Sequence, residues 1–375
     1  MPEPTRTALG SWSGGRFMHF GEDLADDRLL ALLRPDDAIR TVITADVYGA
    51  GGADELVGRA LAGLQRERYS LVGAVGHDFY EGERNGPKGF PRFTDPRLRG
   101  PERYGDYLRM AAERSLERIG VGRFDLLLLH NPDRTGYTHP AVWEGMAALR
   151  DAGLTDALGV APGPANGFTL DVIDCFERFG ELLDWAMIIL NPLEPWPGEL
   201  VLEAAARHDV RLITRVVDYG GLFHGDLRPG GRLHDSDHRG FRPAGWIERG
   251  WERIEEIEPI ARRHDLTLLQ LACQWNLAHE PVACVVPTLV QEADGRPVEE
   301  QRAELAALPE GRVLSDWEVA QIRLVGDNSN GMALKGASPG FTGEPQADGW
   351  ELDEPLSELA ARWGIDPARD LAYAG

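Results

Sequence analysis

Polar side chains suited to acid–base chemistry and to binding hydroxyl groups follow most of the predicted β-strands of this sequence. Tyr48 and His130 are the candidate catalytic residues, because a phenol and an imidazole can both move protons. The candidate substrate contacts are Asp46, His77, Asp78, Asn131, Asn166, Glu194, Trp196, Arg215, Asp218 and Tyr219. This mixture of carboxylates, amides, a guanidinium and an indole is typical of pockets for hydroxyl-rich ligands such as sugars.

Several of these residues can instead have structural roles. His77 and Asp78 are adjacent and can form a hydrogen-bonded pair within a loop. Arg215 lies near the end of a strand predicted to be buried, so its charge needs a partner. Asp218 or Glu194 can pair with Arg215 as a structural ion pair, or an anionic ligand can provide the negative charge instead.

A divalent metal is the alternative chemistry. His19, His77 and His130 are its candidate ligands, because imidazole together with carboxylate suits Zn, Mn or Fe, and such an ion polarises a carbonyl or a diol. These histidines form no HxH or HxxxH pair, so the ligands would come from different strands. His234 and His238 do have HxxxH spacing, but the surrounding Gly and Pro indicate a loop.

The composition limits the possible partners. The chain has 375 residues, 43% of them hydrophobic, and a formal charge of −22 at pH 7. An acidic balance disfavours a nucleic-acid partner, which favours a basic face. No apolar run approaches the roughly 18 residues of a membrane span, and the first residues show no secretory pattern. We therefore expect a cytoplasmic protein with a small-molecule substrate and neither a nucleic-acid nor a membrane partner.

Strand-like apolar runs alternate with amphipathic helical stretches up to about residue 290. The predicted strands are Arg16–Phe20, Thr41–Ala45, Ser70–Val75, Phe124–His130, Ala157–Ala161, Trp185–Leu190, Arg211–Val217 and Val282–Pro287. Continuous apolar character, as in Phe124–His130, suits a parallel strand that is covered on both faces. Eight β-then-α units predict an α/β fold of the (β/α)8 TIM-barrel type. No GxGxxG motif supports a Rossmann domain.

Three additions to this pattern are predicted. Long loops follow strand three (Gly76–Gly105) and strand seven (Asp218–Arg249), and a C-terminal extension follows the barrel. The predicted organisation is a barrel over residues 1–326 and an extension over residues 327–375 packed on it. Because loops after barrel strands lie on the catalytic face, both long loops are candidate pocket walls.

Four segments occur in an order and spacing that resemble the aldo-keto reductase superfamily over roughly residues 8–325. They are Thr44–Gly49 (TADVYG), Leu128–Asp133 (LLHNPD), Leu190–Leu193 (LNPL) and Gly221–Gly225 (GLFHG). The resemblance implies a barrel in which an Asp, a Tyr, a Lys and a His meet above a nicotinamide ring. Tyr48 and His130 stand at the Tyr and His positions.

The sequence departs from the family at the other two catalytic positions. Ile43 stands at the position of the Asp, and Ala74 at the position of the Lys. In the family this pair helps to lower the pKa of the Tyr hydroxyl, which then protonates a carbonyl oxygen. A lone tyrosine has a pKa of about 10, so loss of the ammonium group removes much of that adjustment.

The nicotinamide contacts that the resemblance implies are also replaced. Ala161-Pro162 stands where the family has Ser-Asn, Met187 replaces a Gln, and Arg215 replaces the Tyr that stacks on the ring. Glu292 lies in the segment that corresponds to the phosphate loop and would repel a 2′-phosphate. We therefore expect no cofactor held in the family's usual mode. Both NADP(H) and a divalent metal stay open as alternatives.

The predicted function is acid–base catalysis by Tyr48 and His130 on a small polyhydroxylated, sugar-like or carbonyl substrate. A reaction without hydride transfer, by a lyase, an isomerase or a dehydratase, is the first hypothesis. One alternative is an NAD(P)H-dependent aldehyde or ketone oxidoreductase. Another is a non-catalytic regulatory or binding protein. The sequence leaves the substrate identity, the reaction direction and the oligomeric state open.

Overall fold

The computed structural model describes residues 4–85, 89–163, 168–329 and 352–371. Eight parallel strands form one sheet in sequential order. They are β1 (Ala8–Gly10), β2 (Thr41–Ile43), β3 (Ser70–Val75), β4 (Phe124–His130), β5 (Thr155–Ala161), β6 (Trp185–Ile189), β7 (Arg211–Arg215) and β8 (Val282–Val286). Thr7 also pairs in parallel with Val285, which brings the first strand against the last. The predicted (β/α)8 barrel is confirmed.

The prediction for the first strand was wrong. β1 lies at Ala8–Gly10 rather than at Arg16–Phe20. Residues 14–21 form a loop in which His19 has a φ of 51°, and three glycines also have positive φ. Such backbone conformations interrupt a strand. Met18 and Phe20 pack against the barrel interior, which explains the apolar character of this segment without a strand.

Helices surround the barrel. They are α1 (Asp26–Leu33), α2 (Gly52–Leu61), α3 (Tyr104–Ile119), α4 (Arg134–Thr138), α5 (Pro140–Asp151), α6 (Phe168–Phe179), α7 (Leu202–Arg207), α8 (Trp246–Arg263), α9 (Leu268–Leu277), α10 (Val298–Ala306), α11 (Asp316–Val325), α12 (Glu354–Arg362) and α13 (Pro367–Asp370). Thr267 and Gln270 form a capping box that fixes the start of α9. Within the described ranges, no helix has the length and apolar character needed to cross a membrane.

Alternate side chains of the strands fill the interior of the barrel, because successive residues of a strand point to opposite faces. Ile43, Leu128 and Ile213 belong to one buried cluster there. His130 and Arg215 follow Leu128 and Ile213 by two residues, so they lie in the next layer toward the carboxyl ends of the strands. In barrel enzymes this end carries the active site.

The predicted long loops and the C-terminal extension are present. The segment between β3 and α3 and the segment between β7 and α8 are both long. α11 ends at Val325, next to the predicted boundary at residue 326. In the extension, the Trp363 indole donates a hydrogen bond to Glu177 at 2.8 Å, and Asp353 pairs with Arg134 at 2.8 Å. The described part of the extension therefore packs on α4 and α6.

Candidate active site

Tyr48 and His130 lie together at the carboxyl-terminal mouth of the barrel. Tyr48 opens a 3₁₀ turn after β2 and donates its backbone N–H to the carbonyl of Ala45 at 3.1 Å. His130 is the last residue of β4. Their ring centroids are 5.6 Å apart, with the planes at 86°. The two predicted catalytic residues are therefore close enough for one small ligand to contact both.

His130 is neutral at physiological pH. The residue is 5% exposed. Burial, followed by the positive charges of Arg215 and Arg92, lowers the pKa of its imidazole from 6.5 to about 3. Its Nδ1 has no hydrogen-bond partner in the described part of the chain. Because a neutral imidazole carries one N–H donor and one acceptor, His130 can donate a hydrogen bond to a ligand oxygen.

Tyr48 keeps its proton over the neutral range. Burial raises the pKa of its hydroxyl, and the positive charge of Arg215 opposes this rise. Ile43 and Ala74, at the family's Asp and Lys positions, are 1% and 2% exposed and line the barrel interior. The nearby cation thus comes from the end of β7, on the side of the barrel opposite β3. A protonated phenol in this position can act as a general acid.

His77 and Asn131 form the wall next to His130. The ring centroids of His77 and His130 are 5.1 Å apart. The Asn131 amide Nδ2 lies 3.3 Å from His77 Nε2, and His77 Nδ1 lies 3.2 Å from the carbonyl of Phe90. Burial, then the charges of Arg92 and His130, holds the His77 pKa well below its ordinary value. His77 is therefore a second neutral imidazole at the mouth.

Arg215 is the cation of the mouth. It ends β7, where it pairs with Ile189 of β6 and Val286 of β8. Its Nη2 donates to the carbonyl of Pro162 at 2.7 Å. Neither predicted partner pairs with it: Asp218 accepts hydrogen bonds from the backbone N–H groups of Gly221 and Thr288, and Glu194 pairs with Arg242. Arg215 forms no ion pair within the described ranges.

Asp46 lies near charged residues of the surrounding helices. It is fully buried, and both of its carboxyl oxygens are without hydrogen-bond partners in the described residues. Burial and the nearby Asp54 carboxylate hold its pKa well above the ordinary value, and Arg118 opposes them. Asp54 and Arg118 belong to α2 and α3, so the predicted contact of Asp46 with a substrate is not supported.

Asp78 serves the loop after β3. Its carboxylate pairs with Arg99, and both side chains are almost completely buried. It also accepts hydrogen bonds from the backbone N–H groups of Tyr80 and Glu81, at 3.0 and 2.9 Å. These contacts occupy the oxygens of Asp78 and stabilise the loop. The prediction that Asp78 contacts a substrate is therefore not supported.

Asp218 and Tyr219 shape the loop after β7. Asp218 accepts hydrogen bonds from the backbone N–H groups of Gly221 and Thr288, both at 2.8 Å, which ties this loop to the end of β8. The Tyr219 ring lies under the Arg242 guanidinium at 4.7 Å. Burial raises the pKa of Tyr219 to about 12. Both residues were predicted to contact substrate, and both are engaged within the fold.

Glu194 and Trp196, after β6, are also engaged within the fold. Glu194 pairs with Arg242 at 3.4 Å, and both side chains are buried. The backbone of Trp196 exchanges two hydrogen bonds with the Asn328 side chain, at 3.0 and 2.8 Å. The indole of Trp196 donates to the carbonyl of Asp370. Trp196 is therefore buried and bound to the C-terminal extension, and its predicted contact with a substrate is not supported.

The predicted metal site is not assembled. His77 and His130 are neighbours, but His19 is exposed in the loop after β1, and its carbonyl accepts the backbone N–H of His238. Throughout the described ranges, no group of three His, Cys, Asp or Glu residues is arranged to hold a metal ion. The side chains present therefore do not fit a resident metal.

Asn166, a predicted substrate contact, lies outside the described residues.

Two residues of the mouth were missed from the sequence. Trp12 packs edge-on against Tyr48, with centroids 6.3 Å apart, and its indole donates to Thr288 Oγ1 at 3.3 Å. The misplaced first strand hid it. Arg92 reaches the carbonyl of Asn131 and lies 3.1 Å from His77 Nδ1. It comes from a long loop, and its spacing from other residues did not indicate a site.

This fold and mouth define a barrel of the aldo/keto reductase type. The chain belongs to the aldo/keto reductase family, whose pattern it matches over residues 8–323. It is similar to D-threo-aldose 1-dehydrogenase from a Pseudomonas species, with 28% identity over 80% of this chain and 90% of that protein. It is also similar to methylglyoxal reductase YeaE from Escherichia coli K12, with 24% identity over 82% and 93%.

A solved structure supports the same fold. Glycerol dehydrogenase from Gluconobacter oxydans superposes with a TM-score of 0.65 and 24% identity, covering 87% of this chain and 92% of that one. At this identity the likeness supports the architecture alone. The confirmed family resemblance therefore rests on the sequence match and the retained barrel.

Family membership implies a nicotinamide cofactor, and the described side chains do not match the family's way of holding one. Arg215 spans the ends of β7 and β5 through its hydrogen bond to Pro162, the position of the family's Asn. Met187, at the position of the Gln, is 4% exposed within the barrel. Neither residue supplies a carboxamide contact.

The arginines near the loop after β8 are likewise engaged. Arg239 pairs with Asp237 at 2.7 Å and with Glu292 at 2.5 Å. Arg296 pairs with Asp226 at 3.3 Å. Glu292 therefore neutralises an arginine of this chain, and these two guanidinium groups already have anionic partners. Neither offers an uncompensated charge to a 2′-phosphate.

Proposed function

We propose that this protein is an oxidoreductase that interconverts a carbonyl and a hydroxyl group on a small polyhydroxylated compound, with Tyr48 and His130 contacting the reacting oxygen. The observation that carries the proposal is the placement of both side chains at the barrel mouth, with ring centroids 5.6 Å apart. The proposed substrate class is supported by the family match and by the similarity to an aldose dehydrogenase and a methylglyoxal reductase.

The chain's own residues have complementary tasks in this reaction. Tyr48 keeps its proton because burial raises its pKa, so it can deliver that proton to a carbonyl oxygen. The hydride for the carbonyl carbon would come from a reduced nicotinamide nucleotide bound as co-substrate, and the reverse reaction would return it to the oxidised nucleotide. His130 is neutral, and its ring N–H can orient the same oxygen. The positive charge of Arg215 favours the anion that forms as the proton leaves Tyr48. In the reverse direction the phenolate accepts the proton of the substrate hydroxyl.

A second candidate is proton transfer without hydride transfer, as in an isomerase, a dehydratase or a lyase. It is favoured by the hydrogen bond from Arg215 to Pro162, which occupies the strand ends where the family's nicotinamide contacts would be. In this candidate Tyr48 and His130 would move a proton between a hydroxyl group and the neighbouring carbon of a hydroxycarbonyl compound. Both candidates use the same mouth and the same substrate class.

Titration with NADH and NADPH separates the two candidates. For the oxidoreductase, we expect a saturable change in reduced-nicotinamide fluorescence at micromolar concentration, and oxidation of the nucleotide when aldoses or methylglyoxal are added. Tyr48→Phe should keep the binding response and lose turnover. No fluorescence response at millimolar nucleotide would overturn this candidate. Exchange of a substrate C–H for deuterium in D2O, without a change in oxidation state, would then establish the second.

A further inference from the structure

Arg215, which is partly buried, differs from the buried arginines in having no anionic partner among the described residues. Arg99 pairs with Asp78, Arg239 with Asp237 and Glu292, and Arg242 with Glu194. In contrast, the one hydrogen bond that Arg215 makes within the described ranges goes to a neutral acceptor, the carbonyl of Pro162, at 2.7 Å. No carboxylate of the described residues pairs with it. A guanidinium has five N–H donors, so most of its hydrogen-bonding capacity is unused.

An unpaired cation in this position costs stability. Arg215 is partly buried, and burial lowers its pKa, as expected for a charge removed from water. Removing a charge from water without a counter-ion is unfavourable. A structural role alone does not require this cost, since the neighbouring loops hold their arginines in ion pairs. An anion that enters the mouth would offset it.

The surroundings of Arg215 favour an anion as well. His130 and Tyr48 are close enough for the Arg215 charge to shift their pKa values. His130 and His77 are neutral, so neither balances the Arg215 charge. Of the carboxylates predicted to contact substrate, Asp78 pairs with Arg99, and burial holds the pKa of Asp46 well above its ordinary value. No carboxylate of the described residues therefore pairs with Arg215, although the whole chain has a formal charge of −22.

We propose that the substrate of this site carries a carboxylate that binds Arg215, so that the compound is a polyhydroxylated acid of the aldonic or uronic type. This inference rests on the proposed function in placing the reacting oxygen at Tyr48 and His130. A planar carboxylate matches the guanidinium edge with two parallel hydrogen bonds. A single charge also matches a single unpaired cation, whereas a phosphate dianion calls for more donors.

Binding of D-glucuronate and of D-glucose to the intact protein, measured by calorimetry, tests the inference. We expect glucuronate to bind and glucose to bind at least about tenfold more weakly. Arg215→Gln should weaken glucuronate binding by about tenfold to a hundredfold and weaken glucose binding much less, because a charged hydrogen bond contributes about 1.5–3 kcal/mol. Arg215→Lys should recover part of the loss. The matched control is Arg109→Gln, an exposed arginine on α3 that pairs with Glu113.

The outcomes are distinct. Equal binding of both sugars, or glucuronate binding that survives in Arg215→Gln, would overturn the proposal. Preferential binding of glucose 6-phosphate over glucuronate would also overturn it in favour of a phosphate ligand. If Arg215→Gln fails to fold, Arg215→Lys and the comparison of charged and neutral sugars on the wild-type protein still decide. Carboxylate binding without a nicotinamide response would retain this inference while removing the proposed oxidoreductase.

Discussion

Aromatic edges, rather than a hydrogen bond, hold the imidazole of His130 against the phenol of Tyr48. The planes of these two rings meet at 86°, and the planes of the His77 and His130 rings meet at 67°. The Nδ1 atom of His130 has no partner in the described ranges, so no neighbour fixes its tautomer. The ring is therefore oriented but keeps either nitrogen free to carry the proton, which suits transfer in both directions.

Loss of the Tyr48 hydroxyl should greatly reduce turnover without unfolding the protein. Tyr48→Phe keeps the ring contacts with Trp12 and His130. Removal of a general acid lowers kcat by about 10²- to 10⁴-fold. We expect a loss of this size for the substrate found by screening, with the urea midpoint unchanged. Tyr69→Phe is the control, because Tyr69 is a buried tyrosine that precedes β3, at the end of the barrel away from the mouth. Equal activity of both variants would contradict a proton-donor role.

His130 should make the protein less stable in acid. Its pKa is about 3 in the native state and 6.5 ordinarily, so below pH 6.5 the unfolded chain binds a proton that the native ring does not. This difference lowers the free energy of unfolding by about 2 kcal/mol between pH 7 and pH 5. Between pH 7 and pH 5, the free energy of unfolding should fall by about 2 kcal/mol less in His130→Asn than in the wild-type protein. Urea unfolding of both proteins at both pH values measures this difference. Identical pH dependence of the two proteins would refute the buried neutral imidazole.

The strands with continuous apolar character were predictable from the sequence. Phe124–His130 and Ser70–Val75 have the predicted bounds. A strand that is covered on both faces is a continuous apolar run, so its ends are visible in the sequence. Tyr48 and His130 were found because local motifs place them directly after strands. Their proximity then follows from the barrel, which gathers the carboxyl ends of its strands at one face.

The partners of the other polar residues could not be predicted. Position after a strand places a side chain near the mouth, yet its direction depends on distant charges. Asp78 is held by Arg99 from the far end of the same loop, and Trp196 by Asn328 from beyond the barrel. The first strand was misplaced because the apolar Met18 and Phe20 pack on the interior from a loop. Sequence distance hides all of these contacts.

The ion pair of Asp78 and Arg99 should be a major source of stability for the loop after β3. Both side chains are at most 2% exposed. Arg99→Ala leaves a buried carboxylate without its partner, which costs about 3–5 kcal/mol. We expect a loss of this size in urea unfolding.

The neighbouring Arg97 provides the matched control for this pair. Its side chain is 84% exposed and pairs with Asp95 at 2.5 Å. Because exposed ion pairs contribute about 1 kcal/mol or less, Arg97→Ala should change stability little. Similar losses in Arg97→Ala and Arg99→Ala would show that the buried pair has no special role in the loop.

Asn328 should fasten the C-terminal extension to the loop after β6. Its side chain is 8% exposed and bonds the backbone N–H and C=O of Trp196 at 3.0 and 2.8 Å. Asn328→Ala leaves both groups buried without partners, at a cost of about 1–3 kcal/mol each. We expect the free energy of unfolding to fall by about 2–4 kcal/mol in urea. Ser329→Ala, which removes an exposed hydroxyl bonded to Asp327, should be nearly neutral. If the two variants unfold alike, the extension is not held through Asn328.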